Sequence, residues 1–282
     1  MKLNNAIMLL VVLVLLAGPS FAQSVTGYEK VYYTNPEMVS PDGDQDISFE
    51  FKNAVAQFDH CKFGIKIVNN TSDYLVFDSQ KSSFSYPFGD KHPTVKPIMI
   101  KPNKAKTKTL LVKGGEDFLQ KSFDFNLLGA IWKIPVNGDA VTADDFVLPA
   151  AKNSFTAGDF KVVLKKYSAT TKEAKAIFEC TYTGNKIGLI NPSNLSVTAE
   201  RKKSNETVTY ANDDKKGETS IVRKGEKIKV TAVFHIPGKI VDMQFAQMNI
   251  IWNDTFVETT EIPIEGPQVH FEMNEALTQE KK

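Results

Sequence analysis

The feature that most constrains this chain is that it resembles itself. Residues 61–70 (CKFGIKIVNN) align with 176–185 (AIFECTYTGN); both alternate apolar and polar side chains and end in a turn at Asn. Residues 101–112, a turn leading into a strand, align with 223–234, which read the same way. Residues 125–132 align with 245–252, which puts the only two Trp of the chain, Trp132 and Trp252, at equivalent places. The offset drifts from 115 to 122 to 120, as changes in loop length produce. A duplicated unit carries its own core, so two domains of about 105 residues each are expected rather than one large domain.

Each copy reads as strands. In the first they are expected near 47–51, 61–68, 74–77, 84–86, 94–100, 106–112, 123–127 and 130–134. In the second they are expected near 160–167, 175–183, 195–201, 207–210, 227–235 and 245–252. Turn residues punctuate these runs at Asp42-Gly43, Lys113-Gly114-Gly115, Gly184-Asn185, Asn212-Asp213 and Pro237-Gly238. No convincing 3.6-residue apolar stripe appears beyond the N-terminal segment. The fold class expected is all-β: two tandem immunoglobulin-like β-sandwich domains after a signal peptide. The expected boundaries are a signal peptide 1–22, a lead-in 23–46, domains 47–149 and 155–265, and a polar tail 266–282, frayed rather than packed from Glu272 to Lys282. Pro149 to Gly158 reads as the linker.

Lys2 followed by the apolar run 6–17, with Ser20 and Ala22 at the −3 and −1 positions before Gln23, has the form of a cleaved signal. A span needs about 20 apolar residues, and Gly18 and Pro19 interrupt this one too early. No Cys follows for a lipoprotein anchor. The expectation is an extracytoplasmic protein, periplasmic or secreted, with no membrane insertion after cleavage. Without residues 1–22 the chain has 33 basic and 33 acidic side chains. Nucleic acid is therefore not an expected partner, since that affinity needs a basic surplus. The short runs Arg201-Lys202-Lys203 and Lys215-Lys216 are flanked by acids.

Gly188-Leu-Ile-Asn-Pro-Ser-Asn-Leu-Ser-Val197, followed by Lys224-Gly225-Glu226 before a strand ending at Phe234-His-Ile-Pro237, resembles the telokin-like, immunoglobulin-type domains of bacterial exported proteins. Those domains carry an Asn-Pro-Ser turn after the second long strand. A Gly-Glu turn precedes the strand that ends in an apolar-Pro step. The first copy keeps the outline, with Asp78-Ser79 and Asn103-Lys104 in these places. The resemblance implies a fold and an extracytoplasmic place, but no shared chemistry.

The two cysteines are expected to stay apart. Cys61 shares a strand face with Phe63, Ile65 and Ile67, and Cys180 shares one with Ala176, Phe178 and Tyr182. If those faces are cores, the sulfurs lie in different domains and no disulfide forms. Catalytic signatures are missing. The four His, at positions 60, 92, 235 and 270, are scattered. There is no HExxH, no GxSxG, no phosphate loop and no dinucleotide fingerprint. No catalytic residue, metal site or cofactor is expected. Asp42, Asp44 and Asp46 have the spacing of a calcium loop and are its candidates, although Ile47 and Asn53 stand where an EF-hand needs Gly and Glu. Asp144-Asp145 would serve a glycosidase only if folding brought the right partners together.

Phe84, Tyr86 and Phe88 alternate ahead of a loop at 89–93, where the second copy has Val197, Ala199 and Arg201. Tyr86, Phe88 and His92 are the candidate binding surface, for a protein or glycan partner. The reading is an exported, non-enzymatic binding or scaffold protein of the cell envelope. The alternative is an extracytoplasmic, carbohydrate-active hydrolase with a site between the domains. A third reading, a structural subunit of an envelope assembly, would show as an exposed edge strand.

Overall fold

The computed structural model describes residues 24–115, 117–204, 206–214 and 217–281. The signal peptide expected at 1–22 lies outside the described residues, as do Lys215 and Lys216. The described chain is all-β, apart from two single-turn 3-10 helices and one short α-helix. It divides into two compact units. Unit one ends at Lys133 and resumes at Pro263; unit two is Ile134–Ile262.

Unit one begins with β1 (Lys30–Tyr32), β2 (Ile47–Gln57), β3 (His60–Asn69), β4 (Tyr74–Phe77) and β5 (Ser83–Tyr86). It continues with β6 (Gly89–Lys91), β7 (Ile98–Ile100), β8 (Lys104–Lys113), β9 (Ser122–Asn126) and β10 (Ile131–Ile134). Unit two holds β11 (Asp139–Val141), β12 (Phe146–Leu148), β13 (Ser154–Ala157), β14 (Phe160–Ala169), β15 (Ala174–Tyr182) and β16 (Ile187–Ile190). Next come β17 (Ser196–Glu200), β18 (Thr207–Ala211), β19 (Ser220–Val222), β20 (Lys227–Phe234), β21 (Met248–Ile251) and β22 (Phe256–Thr259). The chain then re-enters unit one through β23 (Ile262–Ile264), β24 (Gln268–Glu272) and helix α1 (Glu275–Glu280).

Each unit has three four-stranded sheets. In unit one their orders are β1-β2-β3-β8, β23-β10-β4-β7 and β24-β9-β5-β6. In unit two they are β13-β14-β15-β20, β11-β22-β16-β19 and β12-β21-β17-β18. Adding twelve to each number from β1 to β10 turns one set into the other. The same shift carries β11 and β12 into β23 and β24. The last two strands of each repeat therefore complete the other repeat's unit.

Side-chain alternation builds the cores. Along β3 the buried residues are Cys61, Phe63, Ile65 and Ile67, and along β15 they are Ala176, Phe178, Cys180 and Tyr182. Phe63 has ring centroids of Phe84 and Phe125 at 4.9 Å and of Phe271 at 5.0 Å, which binds the first sheet of unit one to the third. In unit two Phe178 joins the corresponding pair of sheets, against Phe146 at 5.3 Å and Trp252 at 5.0 Å. Each buried Phe contributes about 1.5–3 kcal/mol, with about 0.5–1.5 kcal/mol more per well-oriented ring pair. Cys61 and Cys180 are free thiols in these two separate cores.

Several boundaries differ from those expected. The lead-in 23–46 contributes β1 and the buried Val25, Val31 and Tyr33. The linker contains β13, paired with β14. Residues 134–149, placed in the first domain, supply β11 and β12 to unit two. The tail does not fray. β24 buries Val269 and Phe271 beside β9, and Asn274 caps α1 by accepting from the Leu277 amide. A tail rich in polar residues hid two apolar side chains at strand spacing, and these hold it.

The Trp alignment is also corrected. Phe84 pairs with Phe125, and its counterpart Val197 pairs with Ile250, so Phe125 corresponds to Ile250. Two residues on, the Leu127 and Trp252 carbonyls each accept from the amide three residues later, Ala130 and Thr255. Both turns pass through a left-handed residue, Gly129 at φ 70° and Asp254 at φ 52°. Trp252 thus corresponds to Leu127, while Trp132 lies on β10. The two turn motifs singled out do occupy matching places. Ser79–Lys81 and Pro192–Asn194 are both 3-10 turns, and Asn103 and Gly225 are both left-handed.

Candidate functional site

The most exposed aromatic among the described residues is in unit two, on the loop before β21. Val241 and Met243 are fully buried and pin that loop to the core. The Asp242 carbonyl accepts from the Phe245 and Ala246 amides, at 3.0 and 2.8 Å, and its carboxylate accepts from the Gln244 amide. This tight turn faces Phe245 outward, with 85% of its surface exposed. The Lys202 amide donates to the Ile240 carbonyl at 2.9 Å, and Lys202 Nζ lies 3.3 Å from Asp242 Oδ2. Both contacts tie the loop to the β17–β18 turn.

Between loop and turn lies a groove of about 500 Å³ over the outer face of the sheet β12-β21-β17-β18. Val197, Ala199, Met248 and Ile250 point into the core, so Thr198, Glu200 and Asn249 point out. Register aligns Asn249 with Thr198 and Thr198 with Thr209 in one row, and Glu200 with Thr207 in the next. Asn249 Oδ1 is buried in the groove wall without a hydrogen-bond partner. Charges at the rim come in both signs: Glu200 and Asp242 against Arg201 and Lys202.

The residues expected to form the site fare differently. Tyr86 is 7% exposed and belongs to the core, so it is corrected from contact residue to structural residue. Burial foremost, and then the nearby Cys61 thiol, hold its phenol well above the ordinary range. Phe88 is half-buried, stacked on Tyr86 at 4.8 Å and edge-on to Phe118 at 5.4 Å. Its charged counterpart in the other copy pointed to exposure, but the Phe118 ring gives it a partner that spacing could not show. His92 is exposed at the end of the hairpin, with Nδ1 2.8 Å from the Ser82 carbonyl.

Asp42, Asp44 and Asp46 do not assemble a calcium site. Asp44 Oδ2 is 2.8 Å from Lys133 Nζ, a fixed cation where a metal would need the carboxylate. Among the described residues no group of three His, Cys, Asp or Glu is placed to hold a metal. Phe245, matched in sequence to a core Phe, was missed as a surface residue. The signal available was the pair Val241 and Met243, whose two-residue spacing anchors the loop beneath it. No helix among the described residues is long and apolar enough to cross a membrane.

No known family model matches the chain, and no curated protein does. Among solved structures it is similar to a β-glucosidase from Kluyveromyces marxianus, at 9% identity and a TM-score of 0.24, over 89% of this chain and 54% of that one. The chain thus spans about half the length of that enzyme. It is also similar to the tandem CBM22-1-CBM22-2 domain of Paenibacillus barcinonensis Xyn10C, at 7% identity and TM-score 0.23, over 89% of this chain and 100% of that one. A Bacillus subtilis oxalate decarboxylase matches at 8% identity and TM-score 0.17, over 89% and 82% of the two chains.

Proposed function

We propose that the chain is an exported, non-enzymatic binding protein of the cell envelope, and that the groove of unit two binds a neutral, polyhydroxylated ligand such as a glycan. The observation that carries this reading is the pairing of Phe245 with the polar rows beneath it. A sugar ring offers apolar C–H faces for an aromatic platform and hydroxyls for amide and hydroxyl side chains. Thr198, Asn249 and Glu200 supply that hydrogen-bonding surface. Balanced rim charge favours neither a polyanion nor a cation. Concave sites with a few fixed polar groups are the usual form of small-ligand sites.

Each unit is read as an immunoglobulin-type sandwich of the telokin-like kind. The shared sheet order and the facing sheets joined by Phe63 and Phe178 support this. Export rests on the apolar run 6–17 and the small residues before Gln23. The test is an NMR titration of the chain with neutral tetrasaccharides of glucose, xylose and N-acetylglucosamine. Saturable shifts are expected at 198–202 and 242–249, weakened at least about tenfold by Phe245→Ala. A Phe245→Ala variant that titrates like the wild type, or shifts confined elsewhere, would sink the reading. N-terminal sequencing of the exported protein should begin at Gln23.

A further inference from the structure

We infer that the C-terminal arm, β23, β24 and α1, is exchangeable between copies, so that a second copy of this chain is a binding partner through reciprocal arm exchange. The argument starts from the strand arithmetic. Each repeat contributes ten strands to its own unit and its last two to the unit of the other repeat. Reciprocal exchange of identical terminal elements is the form of a swapped dimer, here with both partners fused in one chain.

Unit one's receiving edges are β9 and β10. β24 pairs with β9 over five positions, from Gln268 opposite Asn126 to Glu272 opposite Ser122. Phe271 stacks on Phe123 at 4.6 Å and reaches Phe51 at 5.7 Å. Nothing in this recognition distinguishes a chain's own arm from that of an identical chain, because backbone pairing and core rings are the same in both. The chain's own arm has one advantage, proximity. Only Thr260 and Glu261 separate β22 from β23, so the arm is held at high effective concentration. Exchange therefore grows with protein concentration and is trapped when arms are released and redocked together. Unlike the groove, this surface involves no ligand other than the chain itself.

The test uses Asp124 and His270, which are directly opposite in the β9–β24 register and both partly exposed. Facing strand residues lie about 4.5–5.5 Å apart at Cα, within reach of a disulfide. Full-length Asp124→Cys and His270→Cys chains are unfolded together, refolded at high concentration and oxidised. A disulfide-linked pair of twice the chain mass, joining the two variants, is the expected result. The double variant shows that the geometry permits the bond by closing within one chain at low concentration. Closure in the double variant with only monomers from the mixture overturns the proposal. Light scattering of the unsubstituted chain after the same treatment is the second measurement. It should show a dimer fraction that rises with concentration, and a monomer at every concentration overturns the proposal without reference to the disulfide.

Discussion

Tyr32 and Thr278 hold each other's polar groups across 246 positions of sequence. The Tyr32 amide donates to Thr278 Oγ1 at 3.1 Å, and the Thr278 hydroxyl donates to the Tyr32 carbonyl at 3.3 Å. The Asn274 amide donates to the same carbonyl at 2.8 Å, and Lys281 Nζ lies 4.9 Å from the Tyr32 ring centroid. Thr278 is 1% exposed, so its hydroxyl has no water to fall back on. Thr278→Val should lower the stability of unit one by about 1–3 kcal/mol, since it leaves the partly buried Tyr32 amide without its partner. Urea unfolding followed at Trp132 should move to lower denaturant while the signal of Trp252 stays in place. Equal shifts of both would show that the contact is not local to unit one.

The same closure carries a pH signature. His270 on β24 lies between Asp124 Oδ1 at 2.7 Å and Glu272 Oε2 at 3.1 Å. Partial burial lowers its pKa, but hydrogen bonds and attraction from both carboxylates outweigh this and leave it raised. A raised pKa favours the protonated form in the folded state. The contribution is full below the unfolded value of about 6.5 and is lost as pH rises through the folded pKa. His270→Gln should therefore be less stable than wild type at mildly acidic pH, with the gap closing as the medium becomes alkaline. Exposure of the pair keeps the effect small and salt-sensitive. A gap that widens with pH contradicts this account.

The two thiols test the separation of the cores. Burial pushes both Cys61 and Cys180 up to about 12, and each lies in its own cluster. Neither thiolate forms at neutral pH in the folded chain. Aromatic disulfide reagents should leave the native protein unlabelled, then label both cysteines in denaturant without a reductant. Labelling of Cys61 before Cys180 at intermediate denaturant would identify unit one as the first to open. A native mass lighter by two hydrogens would mean a disulfide and contradict two separate cores.

What the sequence made legible were local patterns, and what it hid was partnership over distance. Alternation along 61–68 and 175–183 sufficed to place Phe63, Cys61, Phe178 and Cys180 inward. The duplication was visible because β3 and β15, and then β8 and β20, kept their apolar period and turns. The exchange of β11–β12 against β23–β24 was not visible, because a short edge strand reads the same whichever unit it completes. Phe88 was misjudged because its burial depends on a ring supplied from elsewhere in the sequence, Phe118. The groove had no motif, since Thr198 and Asn249 become neighbours only through strand register.

The pair of Trp residues provides the sharpest test of the corrected alignment. Trp252 is 1% exposed, between Phe155 at 5.1 Å, Phe178 at 5.0 Å and Phe256 at 5.4 Å. Removing it should open a cavity that these rings cannot fill, so Trp252→Ala should cost about 3–5 kcal/mol. Trp132 is only half-buried on β10, and Lys81 Nζ lies over its ring, 4.0 Å from the centroid. A cation over a partly exposed ring contributes about 0.5–1 kcal/mol, so Trp132→Ala should lower the thermal midpoint far less. Leu127 matches Trp252 in its turn and is likewise fully buried. Leu127→Ala should therefore destabilise unit one by about 2–5 kcal/mol, behaving like Trp252→Ala rather than Trp132→Ala. If Trp132→Ala and Trp252→Ala prove equally damaging while Leu127→Ala is mild, the equivalence of Leu127 with Trp252 is wrong and the original pairing of the two Trp stands.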